Sequence, residues 1–218
     1  MKIYQKDDQI ATENLTPSLR VYGEQLIENN QSDGTKEYRL WNPHRSKLAA
    51  GLLNGLTNLK LEENSKVLYL GASTGTTVSH ISDLVPNGLI YAVEFSPVSM
   101  RKLVRLCENR PNIAPILSDA TKPKNYLNQV EKVDLVYCDV AQAKQSELFM
   151  ENMNLFLKEE GQGLIMIKSR SINVNLKPKV VFKEEERKLK ENGFRVLEKI
   201  KLEPYEKDHK GFLVEKAF

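Results

Sequence analysis

Charged side chains follow four of the short apolar runs in this chain, each at the point where the run ends. They are Glu94, Asp119, Asp139 and Lys168. Runs of this kind predict parallel β-strands, whose carboxyl ends meet at the edge of a sheet where ligands bind. A single acid at such a position is often a helix cap, but four polar strand ends in succession favour a shared site. Carboxylates there can accept hydrogen bonds from hydroxyl and amino groups, and a lysine can accept or position a proton.

The first strand end is different, because it is a turn of small residues within Val67–Thr77. An apolar run stops at Gly71, and a helix begins after Gly75, so free backbone N–H groups at the helix start can hold polar atoms. Thr76 and Thr77 can contribute to that site or simply cap the helix. The glycine spacing is G-x-x-x-G, not the G-x-G-x-x-G of dinucleotide-binding turns. With an acid ending the next strand, this predicts a ligand with adenosine but no diphosphate, and S-adenosylmethionine is the leading candidate.

Each strand end can be given a role in binding S-adenosylmethionine. We expect Glu94 to hold the ribose hydroxyls and Phe95 to lie against the adenine. Asp119 would accept a hydrogen bond from the adenine amino group, and Asp139 would lie beside the positive sulfonium. The expected cofactor-binding residues are Gly71, Ala72, Gly75, Thr76, Thr77, Glu94, Phe95, Asp119, Ala120, Asp139, Val140, Ala141 and Gln142.

Lys168 directly follows the apolar run Gly163–Ile167 and is expected at the edge of the core. Its stem can simply carry the ammonium group out to water. The functional alternative is a lysine oriented by Asp139 that takes or steers the proton of a substrate hydroxyl. Lys47 and His209 are candidate neighbours, but sequence spacing alone does not place either of them in the site.

The elements that must position these residues alternate between strand and helix from Lys66 onward, and two strands joined by a long loop end the chain. This order predicts an α/β, Rossmann-like fold of the class I methyltransferase type, with a doubly wound, mostly parallel sheet and a C-terminal antiparallel hairpin. The predicted strands are Val67–Leu70, Leu89–Val93, Ala114–Leu117, Val133–Cys138, Leu164–Ile167, Arg195–Glu203 and Gly211–Lys216. The predicted helices are Thr76–Val85, Pro97–Asn109, Ala143–Leu157 and Lys179–Asn192.

A small β region precedes this alternation. Leucines at helical spacing predict a first helix over His44–Leu59. We therefore expect a small N-terminal β region over residues 1–43 and a methyltransferase domain over residues 44–218. The β region is predicted to contain strands at Lys2–Tyr4, Arg20–Tyr22 and Glu37–Trp41, with turn residues at Asn29–Gly34.

The composition is that of an ordinary soluble domain, with 218 residues, 40% hydrophobic and 28% charged. A net charge of +3 permits contact with a polyanion without arguing for it. No apolar run approaches membrane-spanning length and the first residues lack a signal core, so we expect no membrane contact and a cytoplasmic, intracellular location. Cys107 and Cys138 lie in apolar surroundings and predict buried, reduced thiols, and no Cys/His cluster predicts a metal site.

Eight segments carry motifs that are far more specific than a generic methyltransferase pattern: Arg20–Glu24, Trp41–Leu48, Val67–Thr77, Val93–Ser96, Pro115–Pro123, Asp139–Gln142, Ile167–Ile172 and Leu202–His209. Together they resemble the fibrillarin family in its compact archaeal form, over nearly the whole chain. The resemblance implies 2′-O-methylation of ribose in rRNA or tRNA, with S-adenosylmethionine as donor and no metal. It also implies a box C/D ribonucleoprotein that contains guide RNA, target RNA, a Nop-domain scaffold protein and a kink-turn-binding ribosomal-type protein.

The same resemblance implies a catalytic group formed by Lys47, Asp139, Lys168 and His209. In that group Lys168 would take or steer the proton of the 2′-hydroxyl, and Asp139 would orient Lys168. Lys47 and His209 would line the acceptor site.

Basic residues near the strand ends, Arg45 and Arg170, are candidates for contacts with RNA phosphates that do not read sequence. Arg101, Lys102 and Arg105 indicate instead a solvated helix face. One alternative function is a Rossmann-like methyltransferase that acts on a protein or a small molecule. Another is a catalytically silent subunit that binds only RNA or a scaffold protein. A nicotinamide dehydrogenase is disfavoured, because the third glycine of its fingerprint is missing.

Overall fold

The computed structural model describes residues 1–6, 8–31 and 34–217, which form two β-sheets and six α-helices. Two of the predicted turn residues, Ser32 and Asp33, lie outside the described residues. The strands are β1 (Tyr4–Lys6), β2 (Gln9–Glu13), β3 (Leu26–Gln31), β4 (Gly34–Leu40), β5 (Lys66–Leu70), β6 (Leu89–Glu94), β7 (Ile113–Leu117), β8 (Val133–Cys138), β9 (Leu157–Lys168), β10 (Phe194–Lys201) and β11 (His209–Lys216). The helices are α1 (Lys47–Leu53), α2 (Thr76–Leu84), α3 (Pro97–Cys107), α4 (Gln145–Phe156), α5 (Ser169–Ile172) and α6 (Pro178–Glu191), with a 3₁₀ turn at Pro123–Tyr126.

The larger sheet has seven strands in the order β10-β11-β9-β8-β5-β6-β7. The five strands from β9 to β7 are parallel, and β11 and β10 form an antiparallel pair at one edge. Both faces are covered by apolar side chains, as β5 illustrates. Val67 and Tyr69 pack in one core, while Leu68 and Leu70 pack in the other. The predicted α/β sheet with a C-terminal hairpin is therefore confirmed.

The strand order brings the polar strand ends to one edge of this sheet. β5 lies between β8 and β6, so the glycine turn that follows β5 has Asp139 on one side and Glu94 on the other. Because β11 runs antiparallel to β9, its first residue, His209, pairs with Lys168, the last residue of β9. The hairpin therefore carries His209 to the edge where the parallel strands end.

The smaller sheet confirms the predicted N-terminal β region but differs from it in detail. Its four antiparallel strands have the order β1-β2-β4-β3. The prediction of a strand at Arg20–Tyr22 is wrong, because the Glu24 carboxylate accepts the N–H groups of Val21 (2.9 Å) and Tyr22 (2.8 Å) and closes a turn. The sequence does not predict β2 or β3, and the polar residues of β3 show no apolar alternation. β1 begins at Tyr4, where the strand predicted at Lys2–Tyr4 would end.

α1 is much shorter than the predicted helix His44–Leu59. It begins after Ser46, whose Oγ accepts a hydrogen bond from the N–H of Ala49 (3.4 Å), and it ends before Gly55, which has φ +96°. Leu56 and Leu59 lie in a non-helical segment but are still buried in the core, so the leucine spacing does not show where the helix ends. The other predicted helices match α2, α3, α4 and α6 to within two residues. β9 begins at Leu157, seven residues before its predicted start, and the sequence does not predict α5 or the 3₁₀ turn.

A buried ionic network joins the smaller sheet to α2 and to the segment after α3. Arg39 of β4 donates to Glu24 (2.6 Å) and to Asp83 (2.8 Å), and all three side chains are buried. Arg110 donates to the second oxygen of Asp83 at 2.6 Å. Two arginines and two carboxylates therefore balance in charge, which is the condition for burying them. His80 of α2 lies beside them, and burial, Arg39 and Arg110 lower its pKa well below 6.5.

The two cysteines are free thiols. Cys138 is fully buried, as expected, whereas Cys107 is only half-buried. Burial raises the pKa of Cys107 to about 11 and that of Cys138 to about 12, so both stay protonated near neutral pH. None of the helices in the described part of the chain has the length and apolarity to span a bilayer.

Candidate active site

The glycine turn between β5 and α2 has no room for a side chain at either glycine. Gly71 has φ +84°, and a Cβ atom there would lie 2.8 Å from the carbonyl oxygen of Asp139. Gly75 has φ +92°, and a Cβ atom there would collide with Leu106. Gly75 is also the N-cap of α2, where no side chain accepts a hydrogen bond from the first turn. The N–H groups at the start of α2 therefore have no side-chain cap, which suits them to bind a polar ligand group.

Thr77 links the start of α2 to the start of α1. Its hydroxyl donates a hydrogen bond to Ser46 Oγ at 3.0 Å, and Ser46 is the N-cap of α1. The next residue after Ser46 is Lys47, so this bond fixes the glycine turn relative to a predicted catalytic residue. Thr76 makes no such bond and lines the cavity beside the turn.

A cavity of about 440 Å³ opens at this edge of the sheet. It brings the glycine turn and all four residues of the predicted catalytic group to one place, although they come from distant parts of the chain. The residues that line the cavity are Arg45, Lys47, Tyr69, Gly71, Ala72, Ser73, Thr74, Thr76, Thr77, Asp139, Ala141, Met166, Lys168, Glu206 and His209.

An ion pair between Lys47 and Asp139 forms one wall of the cavity. Lys47 Nζ lies 2.8 Å from Asp139 Oδ1 and 3.1 Å from Oδ2, and each side chain is about one-fifth exposed. From the sequence we expected Asp139 to orient Lys168 instead. In the structure the carboxylate binds Lys47, because the side chain of this first residue of α1 reaches the residue that follows β8. Lys168 Nζ makes no ion pair or hydrogen bond within residues 1–6, 8–31 and 34–217, so it remains available to a ligand.

The backbone of Lys168 is fixed although its ammonium group is not. The buried side chain of Gln145 donates to the carbonyl oxygen of Lys168 (3.2 Å) and accepts the N–H of Lys168 (3.1 Å). The next residue, Ser169, donates through both its N–H and its hydroxyl to the carbonyl oxygen of Asp208, at 3.0 Å each. These bonds hold the end of β9 against α4 and against the turn before β11.

His209 is held in one tautomer. Its Nδ1 lies 2.6 Å from the carbonyl oxygen of Lys207, which can only accept, so Nδ1 carries the hydrogen. Nε2 of the neutral ring is then an acceptor. The Glu206 carboxylate lies 3.6 Å from Nδ1, and the His209 side chain is 9% exposed. The geometry therefore places a largely buried imidazole ring, with a nearby carboxylate, in the lining of the cavity.

The residues expected to hold adenosine lie beside this cavity rather than in it. Glu94 is buried, and its two oxygens accept the N–H groups of Ser73 and Ser96 at 2.8 Å each, which attaches it to the glycine turn. Phe95 is 70% exposed. A hydrogen bond from the Thr121 N–H (2.9 Å) is the main cause that lowers the pKa of Asp119.

The loop after Asp139 and the segment after Asp119 complete this edge. Ala141 lines the cavity, whereas Val140 packs against Gly71, at the point where a Cβ atom would meet it. Gln142 is half-buried, and its N–H bonds to the carbonyl oxygen of Val140 (3.2 Å). Ala120 is buried, and its carbonyl oxygen accepts a hydrogen bond from Asn152 (2.9 Å).

The two predicted RNA contacts differ in position. Arg45 lines the cavity, and its guanidinium lies 4.9 Å from the centre of the Tyr22 ring. Arg170 does not line it, because it binds Asp208 at 3.0 Å and the carbonyl oxygen of Val174 at 2.9 Å. Of the two arginines, Arg45 is therefore the better placed to contact RNA bound at the cavity.

Sequence reasoning misses several residues that shape the site. Gln145 and Glu206 carry no recognisable signal, because nothing in the sequence shows that they face a strand end or an imidazole. Tyr69 lines the cavity and packs 4.6 Å from Tyr137, ring centre to ring centre, and burial raises the pKa of both phenols. Ser46 could have been found as an N-cap before the leucine stripe. Across the described residues, no three His, Cys, Asp or Glu side chains are grouped as metal ligands would be.

Comparison with known proteins assigns the chain to a family. The family description "Fibrillarin" matches residues 1–217. A Methanothermobacter thermautotrophicus protein named fibrillarin-like rRNA/tRNA 2′-O-methyltransferase is 52% identical over 214 residues, which are 98% of this chain and 94% of the relative.

Two solved structures are also similar. Aeropyrum pernix fibrillarin, in complex with natively bound S-adenosyl-L-methionine, has a TM-score of 0.86 and 44% identity, with 94% of this chain and 88% of that chain covered. The fibrillarin of a fibrillarin/Nop5p complex has a TM-score of 0.87 and 43% identity, with 98% and 97% covered. The family match, the identity and the shared fold all cover almost the whole chain, which therefore belongs to the fibrillarin family.

Proposed function

We propose that this chain transfers a methyl group from S-adenosylmethionine to the 2′-hydroxyl of ribose in RNA, with rRNA and tRNA as substrate classes. The observation that carries the proposal is the Lys47–Asp139 ion pair, which shares one cavity with the unpaired ammonium of Lys168 and with His209. Membership of the fibrillarin family supports the same reaction, because the Methanothermobacter relative is named for it.

The residues at the sheet edge fit S-adenosylmethionine. The uncapped first turn of α2 suits the carboxylate of the methionine end, because helix N-termini bind anions. Each Glu94 oxygen accepts one N–H and keeps a lone pair for a ribose hydroxyl. The exposed Phe95 ring offers a face to adenine, and Asp119 offers an acceptor to its amino group. When bound, the cofactor supplies an electrophilic methyl group carried by a positively charged sulfur.

We assign the proton of the 2′-hydroxyl to Lys168. Its Nζ has no partner among the described residues, while its backbone is held by Gln145, so an unpaired terminal nitrogen is presented from a fixed position. It takes the hydroxyl proton or steers the hydroxyl oxygen by donating to it. His209 Nε2 offers a second acceptor, and Lys47 balances the charge of Asp139. Proton transfer of this kind contributes about 10²–10⁴-fold, whereas orientation supplies effective molarities of about 10⁵–10⁸ M.

We further propose that the chain acts as the catalytic subunit of a box C/D ribonucleoprotein in the cytoplasm. A fibrillarin solved with Nop5p supports a Nop-domain scaffold as one partner. The guide RNA, the target RNA and a kink-turn-binding ribosomal-type protein complete the proposed assembly. In such a complex, pairing with the guide selects the nucleotide, and the chain itself needs to hold only backbone and ribose.

The test is transfer of a labelled methyl group from S-adenosylmethionine to a guide-matched RNA, with and without the guide and both partner proteins. A target with 2′-deoxyribose at the chosen nucleotide is the substrate control. Transfer in the full assembly that is lost with the deoxy target is the expected result. No transfer despite cofactor binding and assembly would favour a silent subunit, and transfer to the deoxy target would indicate another acceptor atom.

Lys168→Ala provides the residue-level test. We expect it to keep its affinity for the cofactor and to lose methyl transfer by at least about 100-fold, since the proton is then unassisted. Lys158→Ala is the matched control, because Lys158 lies at the opposite end of β9, is 45% exposed and pairs with Asp134. Retained transfer by Lys168→Ala would remove this lysine from the mechanism.

A further inference from the structure

A second depression, of about 540 Å³, lies beside the catalytic cavity, between the N-terminal region and α3. The two are continuous, because both are lined by Arg45, Thr74 and Thr76. Five cationic side chains line this depression, which we call the basic groove: Arg20, Arg45, Lys102, Arg105 and Arg110.

The charges of the basic groove are not balanced by the protein. Within the described residues, Arg20, Lys102 and Arg105 form no ion pair and no side-chain hydrogen bond. Arg110 also lines the groove, but Asp83 neutralises it from behind at 2.6 Å. None of the described residues that line the groove is an acid.

Two basic residues of α6 provide a contrast with the groove. On α6, Arg187 pairs with Glu191 at 2.8 Å and Lys190 pairs with Glu186 at 2.6 Å. Arg187 and Lys190 are three positions apart and exposed, as are Lys102 and Arg105 on α3. Within the described residues, Arg20, Lys102 and Arg105 lack the acidic partners that Arg187 and Lys190 have. A concentration of one sign of charge in a cleft attracts the opposite sign.

Another depression meets the site on the far side, beside His209 and α6. It also contains lysines, among them Lys179 and Lys183, but Glu186, Glu203 and Asp208 line it as well. Its five lysines face three acids, so its net positive charge is smaller than that of the basic groove, where none of the described lining residues is an acid.

We propose that the basic groove holds the phosphates of the RNA strand that carries the target ribose, next to the modified nucleotide. This inference rests on the proposed function, and it names the surface that positions the substrate. Arg45 lies at the junction, with its guanidinium 4.9 Å from the centre of the Tyr22 ring, and it contacts the phosphate nearest the cavity. Thr74 and Thr76 supply hydroxyls at the same junction.

The spacing of the groove cations fits consecutive phosphates. Lys102 and Arg105 are three residues apart on α3, which corresponds to a rise of about 4.5 Å. Charges along one strand of a nucleic acid helix recur about every 3.4 Å along its axis. The rise between Lys102 and Arg105 is therefore of the order of one nucleotide step, and sequence-independent contacts of this kind fix the register of the strand.

The experiment measures kcat and KM for a guide-matched target RNA in the fully assembled complex, at several salt concentrations. The variant is Lys102→Ala/Arg105→Ala. The control is Arg187→Ala/Lys190→Ala, which removes the same charge at the same helical spacing from α6. The slope of log(kcat/KM) against log[salt] is negative, and each lost phosphate contact reduces its steepness by about 0.7–0.9.

We expect the groove variant to raise the KM for RNA about tenfold or more. The steepness of the salt dependence should fall by about 1.4–1.8, which is two contacts at about 0.7–0.9 each. The value of kcat at saturating RNA and the affinity for the cofactor should stay unchanged. The control variant should keep the slope of the original chain. Equal slopes for all three proteins would overturn the proposal, whereas inactivity of the unaltered assembly would instead overturn the proposed function.

Target RNAs with single methylphosphonate linkages locate the contact. A neutral linkage beside the target nucleotide should lower kcat/KM for the unaltered chain and should cause little further loss in the groove variant, because the two changes remove one interaction. Additive losses at every linkage tested would mean that the groove binds something other than the target strand. Loss of the scaffold protein from the variant complex on a native gel would identify that occupant as a protein.

Discussion

Replacement of Asp83 by asparagine tests whether the buried ionic network holds the N-terminal sheet to the rest of the chain. The carboxylate accepts four hydrogen bonds: from Thr12 Oγ1 (2.6 Å), the N–H of Leu15 (3.1 Å), Arg39 (2.8 Å) and Arg110 (2.6 Å). Asparagine has nearly the same shape but no charge, and its amide nitrogen must face donors on one side. The change leaves two buried arginines with one carboxylate, that of Glu24.

The size of the effect follows from the loss of one partner in a buried pair. Such losses cost about 3–5 kcal/mol, because the remaining charge stays buried without compensation. Unfolding entropy is about 2.1 cal/mol/K per residue, which for 218 residues is about 0.46 kcal/mol/K. Division of about 3–5 kcal/mol by this value predicts that Asp83→Asn lowers Tm by about 7–11 °C.

Differential scanning calorimetry is the assay, and Glu191→Gln is the control. Glu191 pairs with Arg187 at 2.8 Å, but both side chains are more than half exposed. Removal of its charge should cost at most about 0.5 kcal/mol, or about 1 °C. A double variant, Asp83→Asn/Arg110→Met, should be less destabilised than the sum of its single variants by about 1–3 kcal/mol, since charge balance is restored.

A Tm for Asp83→Asn within about 2 °C of the original would refute this reasoning. Water would then have to reach Arg39 and Arg110, contrary to their burial. If the stability loss of the double variant equals the sum of the losses of the two single variants, the reasoning is refuted independently, because Asp83 and Arg110 then do not interact.

Three further predictions concern the glycine turn, the support of Lys168 and the buried histidine. Gly71→Ala should weaken cofactor binding at least about tenfold, measured by calorimetric titration, because its Cβ would lie 2.8 Å from the Asp139 carbonyl oxygen. Gly55→Ala is the control: Gly55 also has a positive φ but lies in open space, so this variant should lose stability without losing affinity for the cofactor. Gln145→Leu should lower kcat about tenfold or more with little change in the KM for the cofactor, because the N–H and carbonyl groups of Lys168 lose their partners; an unchanged kcat would mean that β9 holds Lys168 unaided. His80 has a lowered pKa in the folded state, so below about pH 6.5 the unfolded chain binds a proton that the folded chain does not. The free energy of unfolding therefore falls as the pH is lowered, by up to about 1.4 kcal/mol per pH unit. Between pH 6.5 and pH 5 the free energy of unfolding should fall by about 2 kcal/mol, as measured by urea unfolding. His80→Gln should lack this loss. Equal pH dependence in the two proteins would contradict a neutral, buried His80.

The part of the site that the sequence predicts is the part that local rules control. Parallel strands must end at one edge, so the apolar runs alone predict that Glu94, Asp119, Asp139 and Lys168 lie along it. The sequence likewise predicts a tight turn of small residues after the first strand, and the close approach of Gly71 to the carbonyl oxygen of Asp139 agrees with it. The alternation of strands and helices is enough to predict the larger sheet, because apolar side chains cover both of its faces.

The remaining features depend on contacts between distant residues. Lys47 and Asp139 are 92 positions apart, and nothing in their spacing shows that α1 starts beside the end of β8. Family resemblance placed Lys47 and His209 with Asp139, but it did not show that Lys47 rather than Lys168 takes the carboxylate. The leucine stripe overextended α1 because Leu56 and Leu59 are buried from a non-helical segment. Lys102 and Arg105 were assigned to a solvated face, since their lack of acidic partners is visible only in three dimensions.

The N-terminal region contributes to the site more directly than a boundary at residues 43 and 44 suggests. Trp41 stacks on His80 at 4.7 Å between ring centres, and Arg39 reaches Asp83 on the same helix, so β4 is held against α2. Five residues after Trp41 comes Ser46, which bonds Thr77 and precedes Lys47. We therefore propose that residues 1–43 and 44–218 are two layers of one cooperative unit.

This proposal predicts that a change in the network reaches the chemistry. Asp83→Asn loosens β4 on α2 and so loosens Lys47, although Asp83 does not line the catalytic cavity. Below its Tm the variant should lose kcat about tenfold, because misplacement of a group by about 1 Å can cost about 10²-fold, while Glu191→Gln should lose none. A single calorimetric transition with a lowered kcat would support one unit. Two transitions, with kcat unchanged until the second begins, would show that the N-terminal sheet is a separate domain that Lys47 does not need.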